Sequence, residues 1–340
     1  MGKGAAPGAA QTAGMRAVLL ESKGDADILR VSDGVPAPEP VGEDVRIRVR
    51  AFGINRADVL QRRGAYPAPA DAIDPRIPGL EYAGEVESLG PRARERRVGD
   101  RVCGVTGAGA YAELLCVHER ATVRIPDGIA FESAAAIPEE FMTAWDALEQ
   151  GGFAAGGSVV IHAIGSGVGT AASQLVAAGG GIVIGTSRTR DKLERARELG
   201  MTDGALLDEP WEQLARTRTR GAGVDIVLDF IGAATYARNL TALRINGRVV
   251  QVGTLAGSRG EIEIGLLMQK RATWIGTTLR ARPIEEKIAL ARRFERLVIP
   301  QFEAHKLRPV VDRVYDFEQI ADTHRRMESN ESFGKIIVRV

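Results

Sequence analysis

Three glycines alternate with other residues in Gly165-Ser166-Gly167-Val168-Gly169. The apolar run SVVIHAI precedes this turn and the helical pattern GTAASQLVAAGG follows from its last glycine, so it connects a predicted strand to a predicted helix. In such a turn one glycine makes the tight bend, one lets backbone N–H groups approach a pyrophosphate and one lets helix and strand pack closely. The helix dipole adds attraction for phosphates. Thr170 replaces the last glycine of the strict GxGxxG pattern, so the prediction of a dinucleotide site rests mainly on the position of the turn.

The end of the second strand in this region indicates which dinucleotide binds. NAD-preferring folds place an acid there, about twenty residues after the turn, to bind the ribose 2′-hydroxyl. This chain instead has Ser187 and Arg188, with Lys192 shortly after them. A hydroxyl and two cations suit the extra charge of a 2′-phosphate. We therefore predict NADPH as the cofactor; the alternative is that Arg188 and Lys192 only begin a solvated helix.

Two different patterns of elements must position this turn. Across residues 138–280, apolar strands alternate with amphipathic helices, which is typical of parallel βαβ units. Residues 15–137 form short alternating strands broken by Gly and Pro, which favours a small barrel or sandwich, and residues 281–340 return to that style. We predict an α/β protein in which a doubly wound parallel sheet domain of Rossmann type is inserted into a strand-rich domain.

Length and composition agree with two domains and limit the partners. The 340 residues exceed the size at which a single core stops growing, and the formal net charge of +1 offers no field for nucleic acid or an anionic membrane. No apolar run reaches the ~20 residues of a membrane-spanning helix. Cys103 and Cys116 are expected to be buried free thiols in a reducing compartment. Residues 1–14 lack a secretory h-region, so we expect a disordered tail and a cytoplasmic protein.

Four stretches carry a family likeness: GINRADVLQRRGAYP (53–67), IPGLEYAGEV (77–86), AAAIPEEFMTAWDAL (134–148) and HAIGSGVGTAASQL (162–175). Together they resemble the medium-chain dehydrogenase/reductase superfamily, in its zinc-free quinone oxidoreductase (zeta-crystallin-like) branch. The likeness extends over residues 15–340. It implies a GroES-like β-barrel catalytic domain, an inserted Rossmann domain and a cleft between them. It also implies a homodimer that forms through the dinucleotide-binding domains.

The residues at the zinc-ligand positions of that superfamily argue against a metal. Zinc-dependent members have a Cys in the first stretch and a His-Glu pair in the second, where this chain has Asn55 and Leu80-Glu81. Two cysteines cannot supply a four-thiolate structural site. The four histidines show no ligand spacing, and His162 lies in an apolar strand, where we expect a hydrogen-bonded core histidine. We predict that no metal is bound.

Chemistry without a metal favours conjugated acceptors such as quinones, because conjugation spreads the charge that arrives with a hydride. The resemblance implies that Tyr66 lines the cleft, where its phenol can donate a hydrogen bond or a proton; packing against Pro67 is the alternative. Asn55 can bind the cofactor or the substrate oxygen. The remaining cofactor contacts are assigned from the glycine turn, from the ends of strands and from the resemblance: Thr143, Gly165, Ser166, Gly167, Val168, Phe230, Gly253, Leu255, Thr278, Leu279 and Asn330.

These residues predict an NADPH-dependent quinone oxidoreductase. An NADPH-dependent enoyl reductase acting on thioesters or enones is the first alternative, since such relatives carry a Tyr in a Gly-x-Tyr-Pro loop like residues 64–67. A protein that binds NADPH without turnover is the second. The lack of interleaved basic and aromatic stretches argues against nucleic acid as the partner, and a small-molecule substrate is expected instead.

Overall fold

A computed structural model of the protein describes residues 14–69, 74 and 76–340. The expected disordered tail therefore lies outside the described residues, apart from Gly14, which begins the first strand. The strands in chain order are β1 (Gly14–Val18), β2 (Val31–Pro36), β3 (Asp44–Ile54), β4 (Glu81–Leu89), β5 (Arg101–Val105), β6 (Leu114–His118), β7 (Val123–Arg124), β8 (Ser158–Ile161), β9 (Ile182–Ser187), β10 (Asp203–Leu206), β11 (Val224–Asp229), β12 (Leu243–Gln251), β13 (Thr273–Gly276), β14 (Val311–Asp316) and β15 (Lys335–Arg339).

The helices occur mainly between and after the strands of the middle region. They are α1 (Arg56–Arg62), α2 (Phe131–Ala134), α3 (Pro138–Gln150), α4 (Gly167–Ala178), α5 (Arg190–Arg197), α6 (Trp211–Arg218), α7 (Tyr236–Ala242), α8 (Ile264–Lys270), α9 (Ile284–Leu297), α10 (Ile299–Glu303) and α11 (Ile320–Ser329). None of the helices built from the described residues is long and apolar enough to cross a membrane.

The strand-rich part contains a seven-stranded sheet, in which β14, β15, β3, β4, β5 and β7 follow one another and β6 pairs with β3; β1 and β2 form a separate two-stranded sheet. Strict alternation builds β3. Its Val45, Ile47 and Val49 are buried, whereas Arg48 and Arg50 between and after them are exposed. An antiparallel strand with one buried face shows this period of two.

The middle part forms a six-stranded parallel sheet in the order β10-β9-β8-β11-β12-β13. All four residues of β8, near the centre of that sheet, are buried, as expected for a strand with helices on both faces. The predicted α/β fold, with a GroES-like sheet and a parallel Rossmann sheet, is confirmed. Cys103 and Cys116 are both free and buried, as predicted.

The two parts touch at the glycine turn. The backbone N–H of Gly334, directly before β15, donates to the carbonyl oxygen of Gly165 at 3.0 Å, and Ser166 forms a parallel bridge with Gly334. The ring of Phe141 in α3 also packs edge-on against Phe302 of α10, with 4.8 Å between ring centroids. The last strand of the GroES-like sheet is thus held beside the predicted cofactor site.

Candidate active site

The glycine turn connects β8 to α4, and Ser166 is the N-cap of that helix. Its Oγ accepts a hydrogen bond from the backbone N–H of Gly169 at 3.0 Å. A Cβ on Gly169 would lie 2.5 Å from the carbonyl oxygen of Ala163, so this glycine permits the close packing of helix on strand. The tight bend is made differently from our prediction: the left-handed conformation falls on Ala163, with φ 47°, and on none of the three glycines.

Two charged side chains lie against the other glycines of the turn. A Cβ on Gly165 would lie 2.9 Å from Cδ of Lys192, and a Cβ on Gly167 would collide with the carboxylate of Glu140. Lys192 belongs to the predicted site, whereas Glu140 does not. The turn is therefore bordered by a cation on one side and by a carboxyl group on the other.

A cavity of about 420 Å³ lies beyond the carboxyl ends of β9 and β10. Arg188 is exposed and lines it, together with Leu207, Asp208, Ala234, Thr235 and Arg238. Ser187, at the end of β9, is buried and its Oγ accepts a hydrogen bond from the backbone N–H of Thr189 at 3.2 Å. In open α/β sheets a dinucleotide binds at the carboxyl ends of the strands, so this cavity suits its adenosine half.

Three cations converge between the cavity and the glycine turn. Nζ of Lys192 donates to the backbone oxygen of Asn330 at 2.6 Å, and Nη2 of Arg56 donates to Oδ1 of Asn330 at 2.6 Å. Burial, followed by the positive charge of Arg188, lowers the pKa of both Arg56 and Lys192. Among residues 14–69, 74 and 76–340, no carboxylate forms an ion pair with these three cations. Glu328 favours the charge of Arg56 and Asp312 favours that of Lys192, but burial and the neighbouring cations outweigh them. A bound anion would relieve this repulsion, so the arrangement suits an anion-binding site.

A second group of charges is buried where β15 meets α3. Nζ of Lys335 contacts the carboxylate of Glu81, Oε1 of Glu140 at 2.6 Å and Oδ1 of Asn55 at 2.7 Å. Nδ2 of Asn55 donates to Oε1 of Glu81 at 3.0 Å, which closes the network. All four residues are buried, and we call them the lysine cluster. Gly53 is required beneath it, because a Cβ there would collide with Glu81 and Lys335.

The lysine cluster and its neighbour Glu139 contain more carboxyl groups than cations. Burial, followed by the charge of Glu81, raises the pKa of Glu140 to about 8 and that of Glu139 to about 8. Burial alone would lower the pKa of Lys335, but Glu140 and Glu81 outweigh it and raise that pKa well above its ordinary value. The lysine therefore stays charged at neutral pH while Glu139 and Glu140 hold protons.

Helix α3 presents a further unsatisfied group. Oγ1 of Thr143 is buried and has no hydrogen-bond partner in the described part of the chain. A buried hydroxyl without a partner costs about 1–3 kcal/mol, so a ligand group is expected to satisfy it. Thr143 lies four residues after Glu139, and the two side chains share one face of α3.

Tyr66, after α1, contacts Thr278, after β13, and we call this contact the cleft entrance. The hydroxyl of Tyr66 lies 3.5 Å from Oγ1 of Thr278, and the guanidinium carbon of Arg280 lies 5.1 Å from the centroid of the Tyr66 ring. Arg280 is itself buried and donates from Nε to the carbonyl oxygen of Gly107 at 2.8 Å. Leu279, between Thr278 and Arg280, is buried in the main apolar core.

Three more predicted residues come together at the ends of β11 and β12. The backbone N–H of Leu255 donates to the carbonyl oxygen of Phe230 at 3.1 Å, and a Cβ on Gly253 would lie 3.2 Å from the same oxygen. Phe230 is buried, whereas the side chain of Leu255 is exposed. The carboxyl ends of these strands therefore form one continuous rim beside the glycine turn.

His162 is a hydrogen-bonded core residue, as predicted. Its Nδ1 lies 2.7 Å from Oγ1 of Thr186 and its Nε2 lies 2.8 Å from Oδ1 of Asn239, and the residue is fully buried. Within the part of the chain that the structure describes, no three His, Cys, Asp or Glu side chains are grouped so as to hold a metal ion.

Comparison with known proteins identifies the family. Residues 42–127 match the model of the alcohol dehydrogenase GroES-like domain, and residues 205–338 match that of a zinc-binding dehydrogenase. Quinone oxidoreductase from Pseudomonas aeruginosa is 36% identical over 263 residues, which are 76% of this chain and 79% of that protein. The chain belongs to the medium-chain dehydrogenase/reductase superfamily, zeta-crystallin-like branch.

Solved structures of this superfamily agree with the whole fold. An NAD-dependent alcohol dehydrogenase is 30% identical, with a TM-score of 0.85 over 96% of this chain and 100% of that one. A mycobacterial protein in complex with NADPH is 26% identical, with a TM-score of 0.84 over the same shares of the two chains. The protein is thus an oxidoreductase of the medium-chain family.

Several charged residues of the candidate active site were not predicted from the sequence. Each is a charged residue that lies either in a mostly apolar stretch or beside a predicted site residue. That position is the sequence feature that could have indicated them. They are Arg56, Glu81, Glu139, Glu140, Arg280 and Lys335. Charges inside buried segments are rare unless they are paired or functional.

Proposed function

We propose that the protein is an NADPH-dependent quinone oxidoreductase that works without a metal. The preference for NADPH is carried by one observation: Arg188 lines the adenosine cavity, forms no ion pair among the described residues, and by its positive charge lowers the pKa of the nearby Arg56 and Lys192. A 2′-phosphate would supply the missing negative charge. The absence of a metal is supported by Asn55 and Leu80 at the family's zinc-ligand positions.

The described residues fit the cofactor along its whole length. Backbone N–H groups of Gly167 and Val168 would hold the pyrophosphate beside Ser166, whose own N–H donates to the carbonyl oxygen of Ala163. Ser187 with Arg188 would hold the 2′-phosphate. Lys192 and Asn330 would close over the phosphates from the other side. The rim of the strand ends, the segment after β13 and the unpaired hydroxyl of α3 would surround the nicotinamide half: Phe230, Gly253, Leu255, Thr278, Leu279 and Thr143.

NADPH supplies a hydride when it is bound, and the protein's own residues prepare the acceptor. Tyr66 is positioned by Thr278 and Arg280, so its hydroxyl can donate to a carbonyl oxygen at the cleft entrance. The charge of Arg280 favours negative charge at that oxygen. The amide nitrogen of Asn55 has two hydrogens, of which Glu81 accepts one, so the other is available for cofactor or substrate.

A quinone suits this site because it accepts hydride without a Lewis acid. The same position of Tyr66 also supports the enoyl reductase alternative, in which the phenol donates to an enone or thioester. NADPH oxidation should therefore be measured with benzoquinone, naphthoquinone and an enoyl thioester, each also with NADH. Faster turnover of the quinones supports the proposal, whereas faster turnover of the thioester supports the alternative. Stoichiometric binding of NADPH without any turnover would instead indicate a non-catalytic binding protein.

We also propose a homodimer that forms through the parallel sheet. β13 lies at one edge of that sheet, and the nearby α8 has no buried residue. Its Ile264 and Met268 are 60% and 71% exposed, and an exposed apolar patch beside an open strand edge marks an interface. Replacing both by Glu should convert a dimer into a monomer in sedimentation velocity. Val41→Glu, at an equally exposed position of the GroES-like part, is the control, and a monomeric wild type would contradict the proposal.

We propose that residues 15–137 with 281–340 form the catalytic domain and residues 138–280 the NADPH-binding domain. We propose a cytoplasmic location, which the two free thiols support because a reducing compartment preserves them.

A further inference from the structure

Glu139 lies in the first turn of α3, next to the lysine cluster. Its backbone N–H donates to Oε2 of Glu81 at 2.9 Å, which fixes the start of α3 on the lysine cluster. Its side chain is only partly buried and, in the described part of the chain, its carboxyl group has no hydrogen-bond or ion-pair partner. It shares a helix face with Thr143, whose buried hydroxyl is also unpaired.

The surroundings of Glu139 favour its neutral form. The only cation of the lysine cluster, Lys335, is already engaged by Glu81 and Glu140. The charged and titratable groups that act on Glu139 are Glu81, Lys335, Asp58 and Arg280, and Glu140 is the next residue of the helix. A carboxyl group beside an ionised carboxylate, without a cation of its own, is more stable with its proton. The pKa of about 8 agrees with this geometry, although the start of a helix by itself favours the anion.

Glu140 supports the presence of a ligand on this face. Glu140 is buried, its Oε2 has no hydrogen-bond partner among the described residues, and it borders Gly167 of the glycine turn. Two unpaired groups of α3, Oε2 of Glu140 and Oγ1 of Thr143, therefore lie on the same side of the helix as Glu139. A cofactor that extended from the glycine turn to Thr143 would run along the helix side on which Glu139 also lies.

We propose that Glu139 is a catalytic residue that donates the proton of the reaction to the acceptor. An acceptor that has received hydride carries the displaced electron pair as a negative charge on its oxygen. The O–H bond of Glu139 breaks, a new O–H bond forms at that oxygen, and Glu139 remains as a carboxylate. Water returns a proton to it after the product leaves. This role rests on the proposed reductase function, and it leaves Tyr66 to bind the acceptor.

Glu139→Gln tests the role, because it keeps the shape and cannot donate the same proton. We expect the quinone reduction rate to fall about 10²-fold or more, which is the usual contribution of general acid catalysis, with little change in the Kd for NADPH. In the wild type the rate should fall as the pH rises through about 8, and this dependence should vanish in the variant. Glu149→Gln is the matched control, since Glu149 lies at the other end of α3 and pairs with Arg293.

Infrared titration of the protein without cofactor gives a readout that is independent of activity. The wild type and Glu149→Gln should show a protonated carboxyl band at pH 6 that disappears toward pH 10, and Glu139→Gln should lose part of it. An unchanged band, or an unchanged rate and pH profile in Glu139→Gln, would overturn the proton-donor role and leave the reductase function intact. A wild type inactive toward every quinone and enone would overturn the reductase function and the role with it.

Discussion

Nζ of Lys335, the first residue of the last strand, lies 2.6 Å from Oε1 of Glu140 in the first turn of α3. This contact joins the GroES-like sheet to the helix that precedes the parallel sheet. It lies directly beside Gly167 of the glycine turn. Because Lys335 also contacts Glu81, a single cation compensates two buried carboxyl groups. The lysine cluster therefore links the stability of the fold to the geometry of the cofactor site.

Lys335→Met is expected to destabilise the protein strongly. It leaves Glu81 buried without a counter-charge and removes the Nζ donor from Glu140, and breaking a buried ion pair on one side costs about 3–5 kcal/mol. Urea denaturation measures the loss. Adding Glu81→Gln and Glu140→Gln should restore part of the stability. The exposed Lys306→Met should change it by less than about 0.5 kcal/mol, and an equal effect of the two lysine substitutions would contradict the prediction.

Substitution of Arg188 and substitution of Lys192 should change the KM values for NADPH and NADH differently. Arg188 lines the adenosine cavity, so Arg188→Ala should raise the KM for NADPH about 10- to 100-fold, the value of one or more charge-assisted hydrogen bonds, and leave the KM for NADH unchanged. Lys192 packs against Gly165, so Lys192→Ala should weaken both cofactors. The exposed Arg197→Ala, in the same helix, is the control. Equal effects of Arg188→Ala on NADPH and NADH would mean that Arg188 does not recognise the 2′-phosphate.

Tyr66→Phe distinguishes the two reductase functions. The phenol contacts Thr278 at the cleft entrance and lies against Arg280, so its removal deletes a donor without emptying the site. Enoyl reduction, which depends on that donor, should fall about 10²-fold or more, whereas quinone reduction should fall less than about tenfold. Steady-state rates with both acceptors measure the difference. A large loss with quinones alone would argue against the assigned position of the acceptor.

Local patterns explain how far the fold could be predicted. The continuous apolar run of β8 and the strict alternation of β3 each result from burial of neighbouring residues, so a short window of sequence contains the signal. The glycine turn was found for the same reason. Its left-handed residue, Ala163, could not be predicted, because a backbone conformation at a residue other than glycine is imposed by the packing of helix on strand.

The lysine cluster could not be predicted, because only the tertiary fold assembles it. Asn55 and Lys335 are separated by 280 positions, and neither α1 nor β15 carries a local sign that they meet. The sequence predicted Asn55 as a site residue from family likeness, without its partners. The convergence of Arg56 and Lys192 on Asn330 is likewise a product of folding, although Lys192 and Asn330 were each predicted separately.

The protein without cofactor should lose stability as the pH rises from about 6.5 to 8. Glu139 and Glu140 have pKa values raised to about 8 by burial and by Glu81, so below pH 8 the folded protein holds protons that the unfolded chain has released. This contribution is complete below the ordinary glutamate pKa and disappears as the pH reaches about 8.

Two other buried groups titrate below this window and do not interfere. Burial raises the pKa of Asp58 to about 6, so its effect on stability ends near that pH. Burial lowers the pKa of His324 to about 3, so the stability that this residue adds as the pH rises stops increasing at the ordinary histidine pKa. Each proton that the folded protein still holds and the unfolded chain has lost should lower the stability by about 1.4 kcal/mol per pH unit. Urea denaturation at several pH values should show this decrease in the wild type and its absence in the Glu139→Gln, Glu140→Gln double variant. A decrease of equal slope in both would mean that other groups carry the dependence.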